Sequence, residues 1–258
     1  MTHLLNSRDH IMSLMRDDDI DGSSIAERAR QLDLVRHGTA RWLSTLRQVR
    51  FRERARVARR TFNIEACGTY PFRDADHGEI HVHEAHDDSA AFADVEPFIC
   101  PRVSRRVRAA TCLRWLTPKR MTEADLRSPD ERALVGQWGL FARTTIPAGT
   151  CLGVYGGQLL DDVDVFLLQD DRYLMSASDV LGQVAINGEN IMSLMNTLFE
   201  LDADGRVVGH PADGYNVAGT VHRVTLRHGW RARVHAFHAS EDVAAGRELR
   251  WNYGLGQG

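Results

Sequence analysis

The sequence predicts an α+β chain, a helical N-terminal region followed by a mainly β part built of short strands. Three observations predict it. Up to about Arg60, apolar residues recur at helical spacing: Leu32 and Val35, then Leu43, Leu46 and Val49. From Gly136 onward, short apolar runs alternate with turn signals. The first two, Leu140-Phe141-Ala142 and Cys151 to Tyr155, flank Pro147-Ala148-Gly149 and read as a hairpin-like pair of strands closed by Gly156-Gly157. Near the end, Arg233 to Ala239 alternates as a strand does and leads into a turn at Gly246.

Taken in order, the N-terminal region shows a helix start at Ser23-Ser24 with Glu27 in its first turn, and a break at Gly38. Arg47 to Arg60 is strongly basic; it reads as a solvated face pairing with Asp17, Asp18 and Asp19, or as a contact for an acidic partner. Residues 1–60 are thus expected as a helical extension and 61–129 as an intermediate region. In the latter, Glu79 to His86 alternates and places His81 and His83 on one face, near His77 and His86. Imidazoles so grouped suit zinc, nickel or iron, but an exposed polar face without metal is the expectation. Arg102 to Arg108 is a second basic patch, open between a solvated surface and a ligand contact, and Ser128-Pro129-Asp130 a linker or turn before the third region, 130–258.

Composition sets bounds on function. At 258 residues, 43% hydrophobic and 26% charged, the chain is globular in class and has no apolar run long enough to span a membrane. Its first residues, MTHLLNSRDH, lack the layout of a secretory signal, so a cytoplasmic location is expected. A net charge of -3 argues against a globally basic nucleic-acid binder, and direct nucleic-acid binding is not expected. Lys119 is the only lysine among many arginines, as in the product of a GC-rich genome. Cys67, Cys100, Cys112 and Cys151 form no Cys-x-x-Cys pair, which argues against a thiolate zinc cluster and for a reducing compartment.

Three segments together carry a resemblance. Trp138-Gly139-Leu140-Phe141-Ala142 with Ile146-Pro147-Ala148-Gly149 and Tyr155-Gly156-Gly157, then Asn190 to Asn196, then Gly246-Arg247-Glu248-Leu249-Arg250-Trp251-Asn252-Tyr253-Gly254, resemble in order the opening, middle and closing motifs of SET-domain protein lysine methyltransferases. The resemblance covers about Asp130 to the C-terminus. It implies a fold of small curved sheets with a C-terminal pseudoknot, S-adenosylmethionine as methyl donor, and a protein lysine as acceptor, histone among the candidates. Carried over by position, Tyr253 would be catalytic; Trp138, Gly139, Asn196 and Thr197 would bind the cofactor; Tyr155 and Tyr173 would line the substrate side, with Arg172 to Met175 as a strand. Trp251 reads as core. A bacterial origin and a secreted effector acting in a host cell are expectations of the arginine-rich composition and the divergence.

The pattern has departures. Gln137 stands where the family has glycine, Ser193 where it has arginine and Thr197 where it has histidine; Tyr215-Asn216 is a displaced Pro-Asn if 198–214 is an insertion. Asp202 to Gly205 starts like a calcium loop but lacks the later ligands, so a hairpin turn is the better reading. The resemblance implies that a flank after Tyr253 often closes the substrate channel; with only a few residues there, another segment or a second subunit is expected to supply that wall, or the site stays open. Two other readings stay open: an inactive SET fold that binds a protein or peptide, and a metal enzyme built on the histidine cluster.

Overall fold

The structure is a computed structural model that describes residues 68–74, 78–86, 90–160, 173–177, 185–202, 207–227, 229 and 231–253. The helical region expected over 1–60 lies outside the described residues, as do Cys67, His77 and positions 203–206 of the calcium-like loop.

Three short strands come first, β1 (Phe72–Asp74), β2 (Gly78–Glu79) and β3 (Val82–Ala85). Helix α1 (Ala90–Ile99) places Val95, Phe98 and Ile99 on one buried side, the 3–4 spacing of an amphipathic helix. Helix α2 (Arg105–Trp115) starts at Ser104, whose hydroxyl accepts from the Val107 amide, and buries Arg108 and Cys112 one turn apart. Strand β4 (Leu116–Arg120) follows directly, and short 3₁₀ turns occupy Glu123–Asp125 and Pro129–Leu134. Then come β5 (Trp138–Ala142), β6 (Cys151–Val154), β7 (Gly157–Leu160), β8 (Leu174–Ser176) and β9 (Ala185–Gly188). A 3₁₀ turn at Ile191–Leu194 precedes β10 (Glu200–Leu201), β11 (Val207–Gly209), β12 (Val217–Leu226) and β13 (Arg231–Ala239).

The strands form two main sheets, β2-β1-β7-β9-β8 and β3-β12-β13-β6, with two-stranded pairs β4-β5 and β10-β11. The longest ladder runs from Val217 opposite Ala239 to Thr225 opposite Arg231. One face of it, with Val224, Leu226, Ala232, Val234 and Ala236, is core. Strands from 72–85 join both main sheets, β1 beside β7 and β3 beside β12, and β4 pairs with β5, so the stretch before residue 130 shares the core of the stretch after it.

Two expectations need correction. The runs on either side of Pro147 are strands, but not a hairpin: β5 pairs with β4 and β6 with β13. Their connection is instead held by Ile146, which exchanges main-chain bonds with Val243, each at 2.8 Å. The basic stretch from Arg102 does not lie wholly on the surface. Arg108 is 4% exposed, its Nε donates to the Gly68 carbonyl at 3.0 Å, another guanidinium nitrogen donates to the Val103 carbonyl, and its charge lies 3.7 Å from Glu79. A buried guanidinium is tolerated because each of these groups replaces a lost water contact.

The histidines of 81–86 divide among different partners. His81 stands edge-on to Tyr70 at 4.8 Å, while His86 bonds the Thr225 hydroxyl at 2.6 Å. Among the described residues no three His, Cys, Asp or Glu side chains are disposed to hold a metal ion.

Candidate functional site

The chain from Glu248 to Tyr253 bridges three other segments. Phe141 bridges Glu248 antiparallel, while Arg250 bridges Asn196 and Trp251 bridges Val217, both in parallel. Side chains bind these segments together. Asn196 Nδ2 donates to Glu248 Oε1 at 2.8 Å and reaches the Trp138 carbonyl at 3.4 Å. One half-buried amide therefore touches all three segments that carry the motifs. Gly139 permits the closeness: a Cβ there would lie 2.8 Å from Met121 Sδ and 3.0 Å from Glu248 Oε1.

Beneath this amide sits a buried ion pair. Arg250 is 0% exposed and Glu248 is 4% exposed. Arg250 Nε donates to Glu248 Oε2 at 2.6 Å, one terminal nitrogen to the Thr197 carbonyl at 2.8 Å, and the other to Glu131 at 3.1 Å. Burial raises the Glu248 carboxyl above its ordinary value, opposed chiefly by the Arg250 charge. Asn216 completes the lock: its Nδ2 donates to the Glu248 carbonyl and its Oδ1 accepts from the Arg250 amide, both at 2.9 Å. Asn216 thus meets the closing motif.

Tyr253 is half-buried, and its hydroxyl donates to the Met195 carbonyl at 2.5 Å. Burial, and then the nearby Tyr173, raise its pKa above the ordinary 10, so it acts as a hydroxyl donor and not as a phenolate. The Thr197 hydroxyl lies 3.5 Å from the Tyr253 amide and 3.3 Å from His210. Where the family pattern has glycine, Gln137 uses its side chain on the Ala133 carbonyl at 2.8 Å, and its own carbonyl accepts from the Met121 amide. Ser193 caps the Asn190 carbonyl at 2.7 Å.

Tyr253 lines a cavity of about 330 Å³ together with Tyr155, Phe237, Trp251 and His235, with Arg233 and Val221 also in its wall. Its size suits a small or slender ligand. The ring centres of Tyr155 and Phe237 are 6.3 Å apart, of Phe237 and Trp251 4.9 Å, and of Trp251 and Tyr253 5.0 Å. Tyr155 is fixed by a bond from its hydroxyl to the Tyr173 carbonyl at 2.7 Å. That bond passes over Gly188, where a Cβ would fall 2.2 Å from the hydroxyl. Tyr173 itself contributes this carbonyl at the edge of β8, and the lining comes from Leu174, Met175 and Ser176. His235 donates from Nε2 to the Ser176 carbonyl at 2.6 Å, and burial depresses its pKa to about 4, so the ring is neutral at pH 7.

Trp251 is half-buried, packed against the main core and at the same time part of the cavity wall between Phe237 and Tyr253. Glu248, Arg250 and Asn216, which the resemblance places in its motifs without a role at the site, complete it, with Phe237 and His235, which lie outside those motifs.

No protein-family model and no curated protein matches this chain. Among solved structures it is similar to the polycomb repressive complex 2 of Chaetomium thermophilum, at 22% identity over 61% of this chain and 17% of that chain, TM-score 0.36. The same complex in an autoinhibited conformation bound to S-adenosylmethionine matches at 21% identity over 64% and 18%, TM-score 0.37. KRYPTONITE in complex with mCHG DNA and SAH matches at 19% identity over 45% and 21%, TM-score 0.31. Likenesses of this size transfer no activity, ligand or partner. Among the described residues no helix is long and apolar enough to cross a membrane.

Proposed function

We propose that this chain is an S-adenosylmethionine-dependent protein-lysine N-methyltransferase on a SET-like fold. The observation that carries the reading is the convergence of three segments far apart in sequence. The Asn196 amide contacts Trp138 and Glu248, and Tyr253 stands beside them at the wall of an aromatic cavity. The parallel bridges from Arg250 to Asn196 and from Trp251 to Val217 support the pseudoknot that the resemblance implies.

The donor set fits a sulfonium ligand. The carbonyls of Trp138 and Met195 and the ring of Tyr253 are grouped there, the carboxylates of Glu248 and Glu131 are both bound by Arg250, and among the described residues the cavity lining contains no Asp or Glu. When bound, S-adenosylmethionine supplies a methyl group already activated for transfer. Trp138, Gly139, Asn196 and Thr197 would hold it.

The chain's own task is the acceptor. Free lysine has a pKa of about 10.4 and is mostly ammonium at neutral pH. Walls made by Tyr155, Phe237 and Trp251 favour its neutral form by desolvation. Neutral His235 adds no charge there. The Tyr253 hydroxyl, aligned by the Met195 carbonyl, orients the amine, so the contribution is positioning and not proton transfer. Calorimetric titration of S-adenosylmethionine into the purified chain tests the reading; a chain that takes up no donor is not a methyltransferase.

A further inference from the structure

The aromatic wall does not stop at the cavity. Two further rings extend it, Phe199 and His210, which bracket the β10-β11 hairpin. The ring centres of Phe199 and His210 are 5.5 Å apart, and those of His210 and Tyr253 are 6.4 Å apart. Tyr253 lines the cavity, whereas Phe199 and His210 do not. The Tyr253 ring thus has aromatic surface on two sides, inside the cavity and outside it.

The outer pair is built. His210 Nδ1 lies 2.8 Å from the Leu198 carbonyl, which can only accept, so Nδ1 donates and the ring orientation is set. Thr197 Oγ1 lies 3.3 Å from the same nitrogen and 3.4 Å from the same carbonyl. Phe199 keeps 47% of its surface exposed, although a buried position would stabilise so large an apolar side chain. His210 lies within reach of Thr197, whose carbonyl is tied down by Arg250.

We propose that Phe199 and His210 form the platform on which the purine ring of the methyl donor stacks, outside the cavity that takes the acceptor. The inference rests on the methyl-transfer reading. The donor carries a flat ring at one end and its reactive centre at the other. A site with Asn196 and Thr197 at its middle needs an aromatic face on the side away from the acceptor, and these two rings supply it. In this arrangement Phe199 and His210, on either side of the β10-β11 pair, make one wall of the donor site. Among the described residues of 198–210 the exposed large apolar side chains are Phe199 and Val208, a small area for a protein partner, whereas a purine covers one ring face.

The test is calorimetric titration of S-adenosylmethionine and of 5′-methylthioadenosine, which keeps the purine and lacks the amino-acid end. The proteins are the full chain and the variants Phe199→Ala, Phe199→Leu, His210→Ala and Val208→Ala, each with a thermal melt. Loss of a base-stacking ring weakens both ligands about ten- to hundredfold. Phe199→Leu keeps the apolar bulk and folds, but falls with the alanine variants, while Val208→Ala binds as wild type. Wild-type affinity in both Phe199 variants overturns the platform and leaves the methyltransferase reading intact. No uptake of either ligand by wild type removes the methyltransferase reading and the platform with it.

Discussion

Replacing Arg250 by methionine isolates the buried pair under the site. Methionine fills similar volume, so the change removes charge and hydrogen bonds without opening a large hole. Glu248, 4% exposed, then loses its 2.6 Å donor; the Thr197 carbonyl and Glu131 lose theirs. Removing one partner of a buried pair typically costs about 3–5 kcal/mol, a large part of a total stability of about 5–15 kcal/mol. The assay is urea unfolding, read as a lower midpoint at unchanged slope. Adding Glu248→Gln removes the stranded charge yet leaves Oε1 to accept from Asn196, so the double variant should recover about 2 kcal/mol or more of the single loss. The pH dependence gives a second handle. The Glu248 pKa is already raised by burial, and without Arg250 it rises further. A raised carboxyl contributes stability that is present below its unfolded value of 4.5 and lost as pH rises through the folded value. The deficit of Arg250→Met should therefore be greatest at pH 7 and shrink as pH is lowered toward 4.5. A loss under about 1 kcal/mol, or strictly additive variants, would refute the reasoning.

Tyr253→Phe should keep the fold and donor affinity, strand the Met195 carbonyl at about 1 kcal/mol, and lower methyl transfer by orders of magnitude in a single-turnover assay. Asn196→Ala leaves Glu248 Oε1 short of a donor, so the melt should show a loss of roughly 1–3 kcal/mol, with S-adenosylmethionine affinity down about ten- to hundredfold in calorimetry. His235 is neutral in the fold, its pKa depressed from 6.5 to about 4, so its stabilising effect is full above pH 6.5 and is lost as pH falls toward 4. That displacement corresponds to on the order of 3 kcal/mol; an acid-unfolding series on wild type and His235→Gln should show the variant with the flatter profile. Gly188→Ala puts a methyl where the Tyr155 hydroxyl passes, and should break the bond to the Tyr173 carbonyl and change the cavity, seen as altered near-UV circular dichroism.

The strands of the second half were legible because their apolar runs are bounded by residues with one structural meaning. Gly149 and Gly246 have φ of 79° and 81°, where a side chain is strained, so the turns show directly in the sequence. Pairing was not legible. Nothing in Leu140 to Ala142 says that its neighbour is β4 and not β6, because a main-chain ladder is indifferent to which strand supplies it. Arg108 misled for another reason. An arginine among arginines reads as solvated, and only the Gly68 and Val103 carbonyls, brought in by the fold, make its burial tolerable.

The cavity was hidden by a similar ambiguity. Alternation along β13 puts Arg233, His235 and Phe237 on one face and Val234 and Ala236 on the other. The small apolar face goes to the core, so the mixed face should meet water. In the structure it meets the cavity, with Trp251 and Tyr155 across from it. A cavity wall and a solvated face use the same residue types, since both leave polar atoms unburied by protein. What separates them is the aromatic residue on the mixed face: Phe237, 1% exposed, needs cover that water does not give, and Tyr155 and Trp251 give it. The same reasoning run in reverse bears on Phe199. It too is an aromatic ring beside a short strand pair, but it is 47% exposed, with His210 the ring that stands against it among the described residues, so the Phe199→Leu titration decides whether a ligand ring completes its cover.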